Sequence, residues 1–316
     1  MTITERIDAT TFIDSTHLGV NIPAPKSVKI ELTGRCNFNC SFCARSMKLR
    51  EQSDMDFEFY KRVVLDMYNS GVEELGLFYL GESFLYPKLV EAIEYAKNIG
   101  IPYVFLTTNG SIADPFIVGK CIRAGLDSLK FSLNYADQEQ FISIARVKGS
   151  LYERILDNIR VAKSVRDALH RETGHKCGLY ASYIAYDQAQ KPKMDKVVNE
   201  LSMFLDEIYA LPLYNQASFV QKTVDNLGYV PVAGNLGRLD ALREPLPCWS
   251  CFTEGHITWD GHLSACCFDH DNRFSMGNLN SLTFMEAWNS EKFQTLRAAH
   301  LAKEVKGTPC EKCVVW

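Results

Sequence analysis

The chain has 316 residues, 47% of them hydrophobic, and a formal net charge of −4. The apolar content suffices for a large core with a small appendage, and the charge gives no reason to expect nucleic acid or an anionic membrane as partner. No apolar run reaches the roughly 20 residues of a membrane span. The polar, acidic start resembles neither a signal nor a transit peptide, so a cytoplasmic protein is expected.

Residues 1–26 read as an N-terminal extension. From residue 27, strand-like and helix-like runs alternate. Val28–Leu32 is a strand and Asp56–Gly71 a helix, with Phe57, Tyr60, Val64, Met67 and Tyr68 on one face and Gly71 at the stop. Leu75–Leu80 is a strand, Pro87–Gly100 a helix, Tyr103–Thr107 a strand, and Asp114–Gly125 a helix opened by Asp-Pro. Ser128–Leu133 follows as a strand. Asp137–Leu169 is helical with a break near Gly149. Cys177–Ala185 is a strand, Met194–Asp206 a helix and Glu207–Leu211 the last strand. Alternating strands and helices imply a parallel sheet. A complete eight-fold barrel usually takes about 250 residues, so six units over 27–215 predict an α/β fold built as a partial (β/α)6 barrel. Its chemistry would lie at the C-terminal strand ends.

Residues 216–247 carry scattered Gly and Pro without a period and read as a linker or cap. From 248 to 316 the pattern predicts a small C-terminal domain of one β-hairpin plus a helix. His256–Asp260 and His262–Cys266 flank an Asp260-Gly261 turn, and Thr283–Ala302 reads as one helix.

Eleven cysteines are many for a reducing compartment, where clustered thiols point to metal or catalysis. Cys36, Cys40 and Cys43 form one group. Cys248, Cys251, Cys266, Cys267, Cys310 and Cys313 form another. Cys121 and Cys177 stand alone and are expected to pack as small hydrophobes. Cys36-Asn-Phe-Asn-Cys40-Ser-Phe-Cys43 follows the first strand directly. Three thiolates at that spacing can hold three irons of a cubane and leave the fourth open. The competing reading is a zinc knuckle, but the nearest histidine, His17, lies well before the strand.

This segment resembles the radical S-adenosylmethionine (SAM) superfamily over roughly residues 25–215. The resemblance implies a [4Fe–4S] cluster on Cys36, Cys40 and Cys43 whose open iron binds SAM and cleaves it reductively to a 5′-deoxyadenosyl radical. Tyr79-Leu80-Gly81-Glu82 stands at the second strand end, where the family has a Gly-Gly-Glu-like segment for the SAM amino group; Leu80 departs from the first glycine. Thr107-Thr108-Asn109-Gly110, Ser132, Asn134 and an Arg146-x-x-Gly149 segment match further family positions. The implied cofactor contacts are therefore Phe42, Leu80, Gly81, Glu82, Asn109, Ser132, Asn134 and Arg146.

The C-terminal cysteines resemble the SPASM domain of this superfamily, in its short "twitch" form, because the chain stops three residues after Cys313. The resemblance implies a second [4Fe–4S] cluster on Cys266, Cys310, Cys313 and one earlier cysteine; Cys248 and Cys251 both satisfy the family spacing, and the gap to Cys266 favours Cys248. Cys251 is then a free thiol at the barrel mouth and a candidate hydrogen donor, and Cys267 is a packed side chain pointing away from Cys266. A structural zinc is the alternative there.

Similarity to twitch dehydrogenases of aminocyclitols and to aminoglycoside epimerases implies a radical SAM oxidoreductase or epimerase. It would act at a carbinol carbon of a small, carbohydrate-like substrate and draw on an external electron donor such as flavodoxin or ferredoxin. Glu31, Tyr180, Ser182, Tyr214 and Asn215 are substrate candidates at strand ends. A peptide-modifying enzyme and a non-catalytic iron–sulfur or zinc module are the competing functions.

Overall fold

The computed structural model describes residues 1–219 and 227–314. Residues 220–226 of the expected linker lie outside them. Six parallel strands carry the barrel: β1 (Ser27–Ile30), β2 (Glu74–Gly76), β3 (Tyr103–Thr108), β4 (Ser128–Ser132), β5 (Gly178–Ala185) and β6 (Glu207–Pro212). They stand in the order β6-β5-β4-β3-β2-β1, each parallel to its neighbours. The connecting helices are α2 (Phe57–Asn69), α3 (Leu89–Asn98), α4 (Pro115–Arg123), α5 (Gln138–Ala145), α6 (Leu151–Thr173) and α7 (Lys191–Leu201).

Local chemistry sets their limits. Asp56 caps α2 by accepting from the Phe59 amide, and Gly71 ends the turn at φ +92°. Asp114 caps α4 twice over, with Pro115 at its first position. Arg146, at φ 55°, closes α5 in the left-handed region and separates it from α6, the break expected near Gly149. Alternation along each strand sends Val28, Ile30, Val104, Leu106, Leu129 and Phe131 into the buried core under the helices. Lys29, Phe105, Thr107, Ser128 and Lys130 instead line an internal cavity.

Three features differ from expectation. The N-terminal extension is structured: α1 (Ile3–Thr11) opens with a capping box between Thr2 and Glu5. It docks across the N-terminal strand ends, where Ile3 N donates to Glu207 Oε2 at 2.8 Å, Arg6 pairs with Glu74, and the Arg6 guanidinium lies 3.6 Å from the Tyr103 ring centre.

The C-terminal hairpin continues the same sheet. β7 (Glu254–Ile257) pairs in parallel with β1, and β8 (His262–Ser264) and an unexpected third strand, β9 (Ser275–Asn278), add antiparallel to give nine strands. The turn expected at Asp260-Gly261 is present, with Gly261 at φ +91°. The single expected helix is two, α8 (Phe284–Trp288) and α9 (Glu291–Leu301), because Ser290 caps a new N-terminus by accepting from the Phe293 amide. A short α10 (Glu311–Val314) carries the last cysteine. Among the described residues no helix is long and apolar enough to cross a membrane.

Candidate active site

The first cysteine group occupies the loop leaving β1. Backbone bonds from Asn39 N to Ala145 O (3.1 Å) and Ser41 N to Ile144 O (2.8 Å) tie this loop to the end of α5. Arg45 fastens it from within by donating to Phe38 O at 2.6 Å and Gln52 Oε1 at 3.0 Å. Gln216 braces its far side, accepting from Ala44 N and donating to Phe42 O.

Cys36, Cys40 and Cys43 face one cavity of about 180 Å³, whose wall also includes Phe42, Leu80, Gly81, Glu82, Asn109, Ser132 and Asn134. Of the expected cofactor contacts only Arg146 is not on that wall; it is exposed at the end of α5. The strand-end order places the others together, because parallel strands bring all their C-termini to one edge.

Burial pushes all three thiols up, Cys36 to about 11 with help from Glu82. Such thiols stay protonated and inert near neutral pH. A bound cation reverses this, because thiol ligands bind metal as thiolates. The donor set fits a cluster. Three thiols from one loop line one cavity, and iron–sulfur cubanes are held by Cys thiolates.

The segment after β2 explains its own residues. A Cβ on Gly81 would lie 1.9 Å from Thr33 O, so only glycine lets this segment press on the thiol loop. Glu82 N donates to Arg35 O at 2.8 Å. The Glu82 side chain is fully buried and accepts from Thr108 Oγ1 and Asn109 N, both at 2.8 Å, and from Phe84 N at 3.2 Å. Burial pushes its carboxyl up and these donors pull it back. Asn109 then reaches Asn37 Oδ1 at 2.9 Å, and Asn37 reaches Ser111 Oγ at 2.8 Å. The ends of β2 and β3 are thus knotted to the thiol loop by hydrogen bonds.

Five of the later cysteines line a second, tight cavity: Cys248, Cys251, Cys266, Cys310 and Cys313, with His300. His300 Nε2 stands 3.3 Å from Cys310 Sγ and 3.8 Å from Cys251 Sγ, and its Nδ1 accepts from Cys248 N at 3.1 Å. Hydrogen bonds from Cys251 and His300 hold the Cys310 thiol down. The linker closes this site: Gly234 N donates to Cys313 O at 2.6 Å.

The expected free thiol at the barrel mouth is therefore not Cys251. It is 2% exposed, in a 3₁₀ turn (Trp249–Cys251), and faces the other thiols. Cys267 takes the barrel-facing place. Leaving β8, Cys266 faces the other thiols while Cys267 lies on the barrel-cavity wall, where Asn235 Nδ2 lies 3.5 Å from its sulfur, and the two thiols stay within hydrogen-bonding reach of each other. Cys267 does not point away from Cys266 as expected, because both residues follow the end of β8 at Ser264 and strand alternation no longer separates them; its expected packing role does not fit the cavity wall either. Cys121 and Cys177 are fully buried in the core.

The barrel cavity holds about 310 Å³, and Phe78 and Thr107 lie on both its wall and that of the first thiol cavity. Polar wall groups include Lys29, paired with Glu254 at 2.7 Å, as well as Lys130, Tyr209, Tyr214 and Asn235. Tyr79, on the first thiol cavity, donates to Cys266 O at 2.6 Å and so links the two cysteine regions.

Of the expected substrate candidates, Tyr214 lines the barrel cavity. Glu31 is buried against Arg50 at 2.7 Å, and Asn215 donates to Cys313 O at 3.2 Å. Tyr180 and Ser182 are not on the wall. Sequence reasoning missed Lys29, Lys130 and Tyr209, although a lysine inside an otherwise strand-like run marks an inward-facing position. It missed His300 too, a histidine just ahead of the Cys310–Cys313 pair.

The comparisons agree with this geometry. Residues 30–173 match the radical SAM superfamily model, and residues 248–314 match the iron–sulfur cluster-binding SPASM domain. The tungsten-containing aldehyde ferredoxin oxidoreductase cofactor-modifying protein of Pyrococcus furiosus is 21% identical over 324 aligned positions, spanning 91% of this chain and 87% of that protein. Among solved structures, Streptococcus suis SuiB bound to precursor peptide SuiA superposes with a TM-score of 0.65 at 12% identity, over 92% of this chain and 76% of SuiB. BtrN in complex with AdoMet and 2-DOIA superposes at 0.58 and 15% identity, over 91% of each chain. The chain is a radical SAM superfamily enzyme that joins a SAM- and [4Fe–4S]-using domain to an iron–sulfur SPASM domain.

Proposed function

We propose that this enzyme oxidises or epimerises a carbinol carbon of a small, polar, carbohydrate-like substrate held in the barrel cavity. In this reading Cys36, Cys40 and Cys43 hold the first cluster. Cys266, Cys310 and Cys313 hold an auxiliary one together with Cys248 or Cys251. Phe42, Leu80, Gly81, Glu82, Asn109, Ser132 and Asn134 surround SAM. When bound, these groups supply a 5′-deoxyadenosyl radical for hydrogen abstraction and, at the auxiliary site, an electron acceptor. A flavodoxin or ferredoxin is the expected reductant.

One observation carries the substrate reading. Polar side chains of Lys29, Lys130, Tyr209, Tyr214 and Asn235 converge on the barrel cavity, and behind its wall the enclosed Ser27 Oγ, Thr107 Oγ1 and Trp249 Nε1 lack a protein hydrogen-bond partner. A few polar groups on a mostly apolar wall orient a small ligand, and these suit one with several hydroxyl-like groups. Thr107 also lies on the first thiol cavity, which brings that ligand beside SAM. The cavity is at the lower end of the roughly 300–1,000 Å³ of small-molecule sites. BtrN, crystallised with the small molecule 2-DOIA, supports the same reading through its fold. A peptide substrate is the second reading, favoured by the similar fold of SuiB with its precursor peptide.

For epimerisation the hydrogen donor would be Cys267, the thiol on the cavity wall, in the role first assigned to Cys251. Turnover of candidate sugars in deuterated water separates the outcomes. Solvent deuterium at an inverted carbon, lost in Cys267→Ala, identifies the epimerase. A carbonyl product without solvent label identifies the dehydrogenase. Label or oxidation appearing in a peptide but in no sugar contradicts the carbohydrate reading.

A further inference from the structure

We infer that the substrate carries an oxyanion, a phosphate or carboxylate, that docks on Lys130; this deepens the substrate reading above and rests on it. The charges on the barrel wall are matched with one exception. Arg6 pairs with Glu74, and Lys29 with both oxygens of Glu254 at 2.7 Å. Arg238 pairs with Asp8 at 2.7 Å and also with Asp240. Lys130 is in no ion pair among the described residues. Its Nζ donates to Tyr209 Oη at 3.2 Å and stands 6.0 Å and 5.7 Å from the ring centres of Phe78 and Tyr209.

An ammonium has three donors, and one neutral acceptor at that distance leaves two of them for a ligand. The wall around it is strongly apolar, with Phe78, Phe105, Leu211 and Phe268. A ligand that expels water from such a cavity leaves a bare ammonium at a cost unless it brings its own negative charge. A neutral polyol can bond to wall groups such as Tyr214 and Asn235 but leaves this cation without a counter-charge. An anionic sugar satisfies both.

Position fixes the orientation. Lys130 and Ser132 share one face of β4, two residues or about 6.6 Å apart along the strand. Ser132 lies on the first thiol cavity. An oxyanion on Lys130 therefore anchors the far end of a ring-sized molecule and turns its other end toward SAM. Lys130 is thus assigned as a specificity-determining residue.

The test is anaerobic calorimetric titration of the reconstituted, SAM-loaded enzyme with three pyranoses of similar size: glucose, glucose 6-phosphate and glucuronate. The wild type should bind at least one anion about 10- to 100-fold more tightly than glucose, the span of a charged hydrogen bond. Which anion wins distinguishes phosphate from carboxylate. Lys130→Met should erase the preference, and Lys130→Arg should keep most of it. No preference for either anion in the wild type, whether through equal binding or none, overturns the assignment, as does a preference surviving in a folded Lys130→Met. Release of 5′-deoxyadenosine by the wild type is measured separately; its failure would strike the functional reading and leave the anion preference standing.

Discussion

The two cysteine regions solve the same chemical problem in opposite ways. Cys36, Cys40 and Cys43 come from eight consecutive residues on one loop, braced by α5, Arg45 and Gln216. The C-terminal thiols come from three separated segments: a 3₁₀ turn, the exit of β8, and the start of α10 with the residue before it. A local site declares its donor set in the spacing. An assembled site does not, and here five thiols line a cavity that a four-ligand cluster fills with one to spare.

The largest effect should come from the local loop. Replacing Cys36, Cys40 and Cys43 with Ala should lower anaerobically counted iron from about eight to about four per chain and abolish SAM cleavage, read as 5′-deoxyadenosine by chromatography. At the assembled site, Cys310→Ala should also remove about four irons, yet leave SAM cleavage measurable while product formation is lost. The competition between Cys248 and Cys251 sharpens the contrast. Of the two single Ala variants, one should keep all of its iron and the other should lose the auxiliary cluster. Both keeping it would mean that the fourth ligand is another group, and His300 is then the first to test.

Smaller effects probe what holds the two regions together. Gly81→Ala must displace Thr33 O from 1.9 Å and should destabilise the fold by about 1–3 kcal/mol, seen as a lower Tm and weaker SAM binding. Thr2→Ala removes the cap of α1 and should cost about 1 kcal/mol, read as faster hydrogen exchange in α1 with iron content unchanged.

The contrast between local and assembled also explains what could be read from sequence. The β/α alternation, the three-thiol loop and the strand-end positions from Leu80 to Asn134 were legible, because period and spacing are local properties and a parallel sheet brings strand ends to one edge. The pairing of β7 with β1 was not, since it joins residues more than 200 positions apart. The docking of α1 depends on Glu74 and Glu207, far away in the chain. The split at Asn289–Ser290 turns on one cap inside an otherwise helical pattern. The exchange of Cys251 and Cys267 has the same cause: which thiol faces the barrel depends on how the 3₁₀ turn packs beneath α9, and cysteine spacing carries no record of that.

The central claim is that the three thiols after β1 hold a cluster that breaks SAM. Anaerobic reconstitution, dithionite reduction and incubation with SAM test it most directly. The account predicts about eight irons per chain and 5′-deoxyadenosine with methionine as products. Zinc in place of iron, together with intact SAM after reduction, would contradict it.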